Sequence, residues 1–309
     1  MTNRYLHDSA RRNADEFYTT METVERGLEP FCERFRDADI LLDTNDGMWS
    51  MFWRFLSDRF DDWGLSRLRS LSYDPDWGTL FASADAGGIL YERTRHGVTE
   101  RRLSGSGSFL SDEALALNAQ ADLTVGNPPF SLMADYLTCH AGDLLCLGPM
   151  TAVSYARVFP LMLSGRLRVC SPNKGSMFFR TPHYADTGMA YDARTDSDGT
   201  PMIGVKGVVW YTTLSCLTPG FVPTHRYDAA ANPFYDNLPH DVVESSSAAL
   251  VPCDWNGYAG APISLLANWP AGWRLEGMFP NFLPARFGHV TPLLDGRMPF
   301  RRLLIRRDA

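Results

Sequence analysis

The stretch Asp122-Leu123-Thr124-Val125-Gly126-Asn127-Pro128-Pro129-Phe130-Ser131-Leu132 decides how this chain reads. Its first five residues predict a short buried strand, and Ser131 to His140 predict a helix. Between them stands Asn127-Pro128-Pro129-Phe130. A strand that stops at a polar, doubly prolyl turn and enters a helix is a connection of a parallel α/β sheet. In such sheets ligands sit beyond the carboxyl ends of the strands. Consecutive prolines fix φ and carry no N–H, so the turn is stiff and its carbonyls stay aimed. The Asn127 side-chain oxygen and the Pro128 carbonyl can accept hydrogen bonds from an exocyclic amine, whose lone pair is otherwise delocalised into its ring. Phe130 can stack on a base swung out of a duplex. The plainer alternative is a turn that only ends a strand, since Asn-Pro is a common turn starter.

Outward from this motif the same alternation continues. Ala14 to Arg36 has helical spacing of apolar residues, Asp39 to Asp43 reads as a buried strand ending in an acid, and Met48 to Phe60 as an aromatic-rich helix. Leu68 to Tyr73 predicts a second strand, and Leu80 to Arg102 a hairpin turning at Asp85-Ala86-Gly87-Gly88. Ser111, followed by Asp112 and Glu113, opens a helix. Asp143 to Leu147, Ala152 to Leu163 and Leu167 to Cys170 predict strand, helix and strand. The expectation is an α/β protein with a doubly wound, mostly parallel sheet. Residues 171–202 read as a long loop inserted in a core that spans 1–218 and is completed by the strand near Val205 to Tyr211. Residues 219–309 read as a smaller, irregular region.

The chain has 309 residues, a net charge of -7 and six cysteines. That balance argues against a protein that coats nucleic acid non-specifically, but a local basic surface is compatible with it. Arg286, His289, Arg297, Arg301, Arg302, Arg306 and Arg307 make such a run, suited either to a solvated face or to phosphate contact. No Cys-x-x-Cys pair or His cluster has zinc spacing, so no metal is expected. Six free thiols suit a reducing cytoplasm. The most apolar run, Leu144 to Leu163, is broken by Gly148, Pro149, Arg157 and Pro160, so no membrane span is expected.

Asn-Pro-Pro-Phe is the catalytic motif of amino-methyltransferases, and the surrounding landmarks resemble the adenine-specific DNA methyltransferases of the EcoRI modification type. Asp15-Glu16-Phe17-Tyr18-Thr19 is similar to that family's cofactor-binding opening. Asp43-Thr44-Asn45-Asp46, followed by Ser50-Met51-Phe52, is similar to its first cofactor loop. Phe109-Leu110-Ser111-Asp112-Glu113 precedes the motif as in the family's central block. Val251-Pro252-Cys253-Asp254, Gly260-Ala261-Pro262-Ile263 and Arg302 to Arg307 resemble its C-terminal landmarks. A Gly-x-Gly loop is absent after the first strand, and Ser108 stands where the family commonly carries Asp.

The resemblance implies a Rossmann-like methyltransferase core with a C-terminal target-recognition region. It implies S-adenosylmethionine as cofactor, double-stranded DNA as partner, a cognate restriction endonuclease encoded nearby, and a cytoplasmic monomer. Asn127, Pro128, Pro129 and Phe130 would be catalytic. Phe17, Tyr18, Thr19, Asp43, Asn45, Asp46, Asp74, Ser108 and Asn127 would hold the cofactor, Asp74 through the ribose hydroxyls. A helix cap is the alternative for Asp43, and Asp74 suits a turn before Pro75 better than a ligand. Phe178, Phe179 and Arg180, placed in the long loop, would enter a DNA groove or wedge between bases, with Arg286, Arg301 and Arg302 also on DNA. Trp210 and Tyr211 suit the core better than a base pocket. Methylation of an RNA or protein amine, or a non-catalytic relative that only binds DNA or cofactor, stands as the alternative.

Overall fold

The computed structural model describes residues 18–44, 47–79, 86–170, 177–180, 193–195, 199–215 and 220–308. Its elements are β1 (Tyr18–Thr19), α1 (Met21–Leu28), β2 (Asp39–Leu42), α2 (Met51–Asp58), β3 (Arg67–Ser72), β4 (Ile89–Thr94) and β5 (Gly97–Arg102). Then come α3 (Asp112–Asn118), β6 (Leu123–Gly126), α4 (Met133–Cys139), β7 (Asp143–Pro149), α5 (Phe159–Leu163), β8 (Arg168–Cys170), β9 (Met177–Arg180) and β10 (Ala193–Thr195). β11 (Pro201–Val205), β12 (Val208–Thr212), β13 (Val242–Glu244), β14 (Tyr258–Pro262), β15 (Trp273–Met278) and β16 (Arg302–Arg307) complete them. They form two compact units, Met1–Pro149 with Ser171–Leu217, and Met150–Cys170 with Thr218–Ala309. The expected division near 218 is therefore joined by a second crossing, which places residues 150–170 with the C-terminal unit.

In the first unit the main sheet has the order β5-β4-β3-β2-β6-β7-β12. β3, β2, β6 and β7 are parallel, while β4, β5 and β12 run antiparallel to their neighbours. Every residue of β2 and of β6 is buried, as central parallel strands require. From β2 the chain goes to β3 on one side and later to β6 on the other. This reversal of strand order opens a crevice at the carboxyl ends of β2 and β6. Side-chain caps set the helix starts: Thr20 for α1, Ser50 for α2 and Ser111 for α3 each accept an N–H three residues on. Gly27 lets α1 lie against Trp210, for a Cβ there would come within 1.9 Å of the indole. Trp210 and Tyr211 are fully buried, in agreement with a core role.

The described part of the expected 171–202 loop is sheet. β1, β9, β11 and β10 form a second, antiparallel sheet of the first unit. The composition reads as loop because these strands are short and interrupted. β9 and β11 nevertheless alternate in burial, with Met177, Phe179, Ile203 and Val205 turned inward. The strand expected near Val205 to Tyr211 breaks at Lys206-Gly207, where Gly207 takes positive φ, and its halves join different sheets. The hairpin turns at Arg95-His96 rather than at Gly87-Gly88. Those glycines instead make a close backbone crossing, where a Cβ on Gly88 would meet Gly107 at 2.6 Å.

The C-terminal unit is more regular than its composition suggests: β13, β14, β16 and β15 form a third sheet. Tyr235, Val242, Tyr258, Phe279, Phe287 and Leu304 pack into its core. Cys32, Cys139, Cys146 and Cys253 are free thiols, but Cys170 is disulfide-bonded, which corrects the expectation of six free thiols. No helix among the described residues is long and apolar enough to cross a membrane.

Candidate active site

A cavity of about 530 Å³ opens at the carboxyl ends of the central strands of the first unit. Asp43 and Thr44 follow β2 into it, Tyr73 follows β3, and Asn127 to Phe130 follow β6. The Asn127 N–H donates to the Thr44 hydroxyl at 3.1 Å, tying the two strand ends together. Gly126 makes this approach possible. A Cβ there would fall 2.3 Å from the Tyr136 hydroxyl oxygen and 2.5 Å from that of Thr44. Past the prolines the chain tightens into a short 3-10 turn, Phe130–Leu132, with the Leu132 N–H donating to the Pro129 carbonyl at 3.0 Å. The Asn127-Pro128-Pro129-Phe130 turn is thus held from both ends, and Phe130 is buried beside the cavity.

Asp43 is almost wholly buried, with both carboxylate oxygens engaged. The Tyr136 hydroxyl donates to one at 2.7 Å, and His140 Nε2 lies 2.8 Å from the other. His140 Nδ1 lies 2.7 Å from the Tyr136 carbonyl. A carboxylate and a carbonyl only accept, so both ring nitrogens must donate and the ring is an imidazolium. Burial alone would depress the His140 pKa. The hydrogen bond to Asp43, with help from Cys139, outweighs it and raises the pKa to about 10. Burial, and next the Asp43 charge, push the Tyr136 phenol and the Cys146 thiol well above their usual ranges. Tyr136 in α4 and His140, the extended residue that ends the helix, both meet Asp43.

The remaining wall comes from β1, β9 and the loop before α3. Tyr18 pairs with Arg180 and Thr19 with Phe179 across the antiparallel ladder, and Tyr18, Thr19 and Arg180 line the cavity. The Thr19 hydroxyl is buried with no hydrogen-bond partner among the described residues. Gly107 (φ 77°) passes so close to the Ser72 carbonyl that a Cβ would sit 2.2 Å from it, which brings Ser108 and Phe109 to the cavity. Phe109 packs edge-on against Tyr136, ring centroids 5.1 Å apart. Trp49 and Tyr73, 76% and 61% exposed, stand as aromatic side chains bordering the same space.

The structure thus brings together Tyr18, Thr19, Asp43, Ser108 and Asn127 to Phe130. Phe17, Asn45 and Asp46 lie outside the described residues. Asp74 does not join the cavity lining. Its carboxylate accepts the N–H groups of Gly87 at 2.7 Å and Asp76 at 2.9 Å, which hold its pKa below the usual carboxylate value. It is the turn residue before Pro75. Phe179 is fully buried in β9, so its ring is not presented to a groove. Phe178 is half-buried under Arg194, whose guanidinium lies 4.0 Å from its ring centroid. In the second unit Arg302 is committed to the buried carboxylate of Glu244 at 2.8 Å, because a carboxylate in that core needs a counter-charge. Arg301 is exposed and reaches the Ser154 hydroxyl. Arg286 is exposed beside Glu276. Trp49, Tyr73, Tyr136 and His140 were given no site role from the sequence, and Thr44 and Phe109 only stood within the cofactor-loop and central-block landmarks.

Comparison with known proteins places this geometry. The family described as adenine-specific methyltransferase EcoRI matches residues 5–272. Type II methyltransferase M.EcoRI of Escherichia coli is 28% identical over 99% of this chain and 97% of its own length. Type II methyltransferase M.MpnI of Mycoplasma pneumoniae is 29% identical over 85% of this chain and 81% of its own. No solved structure matches. With Asn127 to Phe130 closing β6 at the cavity, and a family match over most of its length, this chain belongs to the adenine-specific methyltransferase EcoRI family.

Proposed function

We propose that this protein methylates the exocyclic N6 amine of adenine at a specific sequence in double-stranded DNA, with S-adenosylmethionine as methyl donor. The observation that carries this reading is the stiff Asn127-Pro128-Pro129-Phe130 turn facing the same cavity as Asp43 and Thr44. Type II methyltransferases among its relatives support DNA as the substrate.

The chemistry of the wall fits the cofactor. A cavity of about 530 Å³ is in the range of small-molecule sites. The unpartnered Thr19 hydroxyl offers a hydrogen bond, and the Phe52 and Phe109 rings offer flat apolar surface. Tyr18, Thr19, Asp43, Ser108 and Asn127 would hold the cofactor, with Phe17, Asn45 and Asp46 contributing from the adjoining segments. When bound, it supplies a methyl group carried on positively charged sulfur.

The chain's own residues prepare the amine. The Asn127 side-chain oxygen and the Pro128 carbonyl accept its two hydrogens, which makes the nitrogen more electron-rich and more tetrahedral. The prolines keep these acceptors from relaxing toward other donors. Phe130 offers a ring to a base turned out of the duplex, and the exposed rings of Trp49 and Tyr73 at the cavity border add aromatic surface for it.

The test is to incubate the protein with labelled S-adenosylmethionine and methylation-free duplex DNA, then identify the modified nucleoside by mass spectrometry. N6-methyladenine is expected, falling by roughly 10²–10³-fold in Asn127→Ala through loss of one transition-state hydrogen bond. Label on cytosine, RNA or protein, or no transfer by a folded protein, overturns the reading.

A further inference from the structure

We propose that Arg274, Arg286 and Arg306 form a clamp for the phosphate backbone of duplex DNA, built around Tyr258 on the third sheet. This inference rests on the DNA-directed reading above. The ladder sets Tyr258 of β14 opposite Arg306 of β16, and Arg306 opposite Arg274 of β15. The side chains of three adjacent strands therefore share one face. Arg286, from the turn after β15, completes the group. Its Nε donates to the Tyr258 hydroxyl at 2.9 Å, and Arg306 approaches the same oxygen at 3.4 Å. Both guanidiniums also lie over the Tyr258 ring, at 5.4 and 5.0 Å from its centroid. The ring itself is held edge-on by Phe287 at 5.1 Å.

Among the described residues a single carboxylate pairs with this group. Glu276 accepts from Arg274 at 2.6 Å and from Arg286. It occupies a β-bulge, where the register slips between Leu275 and Gly277. Bulges re-aim side chains, and they gather beside functional sites. The slip requires Gly277, whose Cβ would meet the Phe282 carbonyl at 2.4 Å. Three guanidiniums against one carboxylate leave an excess of two positive charges on an exposed strand end, in a chain whose net charge is -7. Holding like charges together on a rigid aromatic base is unfavourable until an anion arrives, and it leaves little side-chain freedom to lose when one does. Planar guanidinium forks match phosphate oxygens bidentately. Phosphate contacts carry no sequence information, so the clamp supplies affinity and register rather than site choice.

The experiment measures duplex binding against salt concentration for three proteins: wild type, the double variant Arg274→Gln/Arg306→Gln, and Glu276→Gln. Duplexes of unrelated sequence serve as probes. Removing two phosphate contacts is expected to lower the slope of log K against log salt by about 2, and to weaken all sequences in the same proportion. Glu276→Gln is expected to tighten binding several-fold, a gain that misfolding cannot produce. Binding of S-adenosylhomocysteine is expected to be unchanged in every variant, which checks the first unit. A wild-type duplex slope retained in the double variant, with no gain in Glu276→Gln, overturns the clamp. So does a loss confined to inorganic phosphate, which would make the cluster a free-anion site. A wild type that binds no duplex at all overturns instead the DNA-directed reading on which the clamp rests.

Discussion

Thr19 shows how much a single atom can say about the site. A buried hydroxyl with no partner costs about 1–3 kcal/mol, so a chain that keeps one at a cavity wall is expected to use it when a ligand binds. Thr19→Val removes the hydroxyl and keeps the shape. The thermal midpoint is expected to stay level or rise, while the Kd for S-adenosylmethionine rises roughly tenfold. Calorimetric titration checks this, and equal affinity in the two proteins would remove Thr19 from the cofactor contacts. Thr19, Asp43 and Asn127 were legible as cavity residues because each stands in a landmark shared with a family, whereas Ser108 lines the same cavity at a position where that family commonly carries Asp. His140 was not. It meets Asp43 across 97 residues of chain, and no local pattern encodes a contact that only the β2–β6 pairing creates. Asp74 is the opposite case: the sequence suited both a ligand and a turn residue, and the backbone amides of Gly87 and Asp76 each donate to one of its oxygens.

At the scale of elements, β2 and β6 were readable because each is a short apolar run closed by a functional turn. The strands β9 and β10 were not, since each is only four or three residues long within a stretch whose Gly, Pro, Asp and Thr content reads as loop. The register of β2 against β3 depends on charge as well as apolar contact. Arg69 is 1% exposed, yet it carries a guanidinium that meets Asp39 at 2.9 and 2.8 Å and donates to the Leu117 carbonyl at 3.2 Å. One side chain thereby links β3, the start of β2 and the end of α3. Removing only the carboxylate strands a buried cation. Asp39→Ala is expected to destabilise the protein by about 3–5 kcal/mol in urea unfolding. The double variant Asp39→Leu/Arg69→Met, which replaces the pair by apolar groups, is expected to recover most of that loss. If the double variant is as unstable as the single, the pair is a specific anchor of register, not a compensated burial of charge.

At the scale of the whole molecule, the response to pH follows from the groups beneath the cavity. His140 faces Asp43, Tyr136 and Cys139 and holds its proton up to about pH 10, against an ordinary value near 6.5. Because the folded state binds this proton more tightly, its contribution is fully present below about pH 6.5 and is lost as pH rises toward 10. Cys146 and Tyr136 act in the same direction, since burial disfavours their anions and ionisation at still higher pH favours the unfolded chain. Carboxylates such as Glu276, held low by Arg274 and Arg286 against the opposing effect of burial, lose their smaller contribution only in acid. Stability should therefore be level below about pH 6, begin to fall near neutrality and be lower by about 3 kcal/mol at pH 9. Urea unfolding at a series of pH values checks this. His140→Gln should be less stable than wild type at pH 6 yet show a much flatter curve between pH 7 and 9. S-adenosylmethionine affinity should follow the same titration, because the group that loses its counter-charge, Asp43, lines the cavity. A His140→Gln curve as steep as that of wild type would place the alkaline transition elsewhere in the molecule.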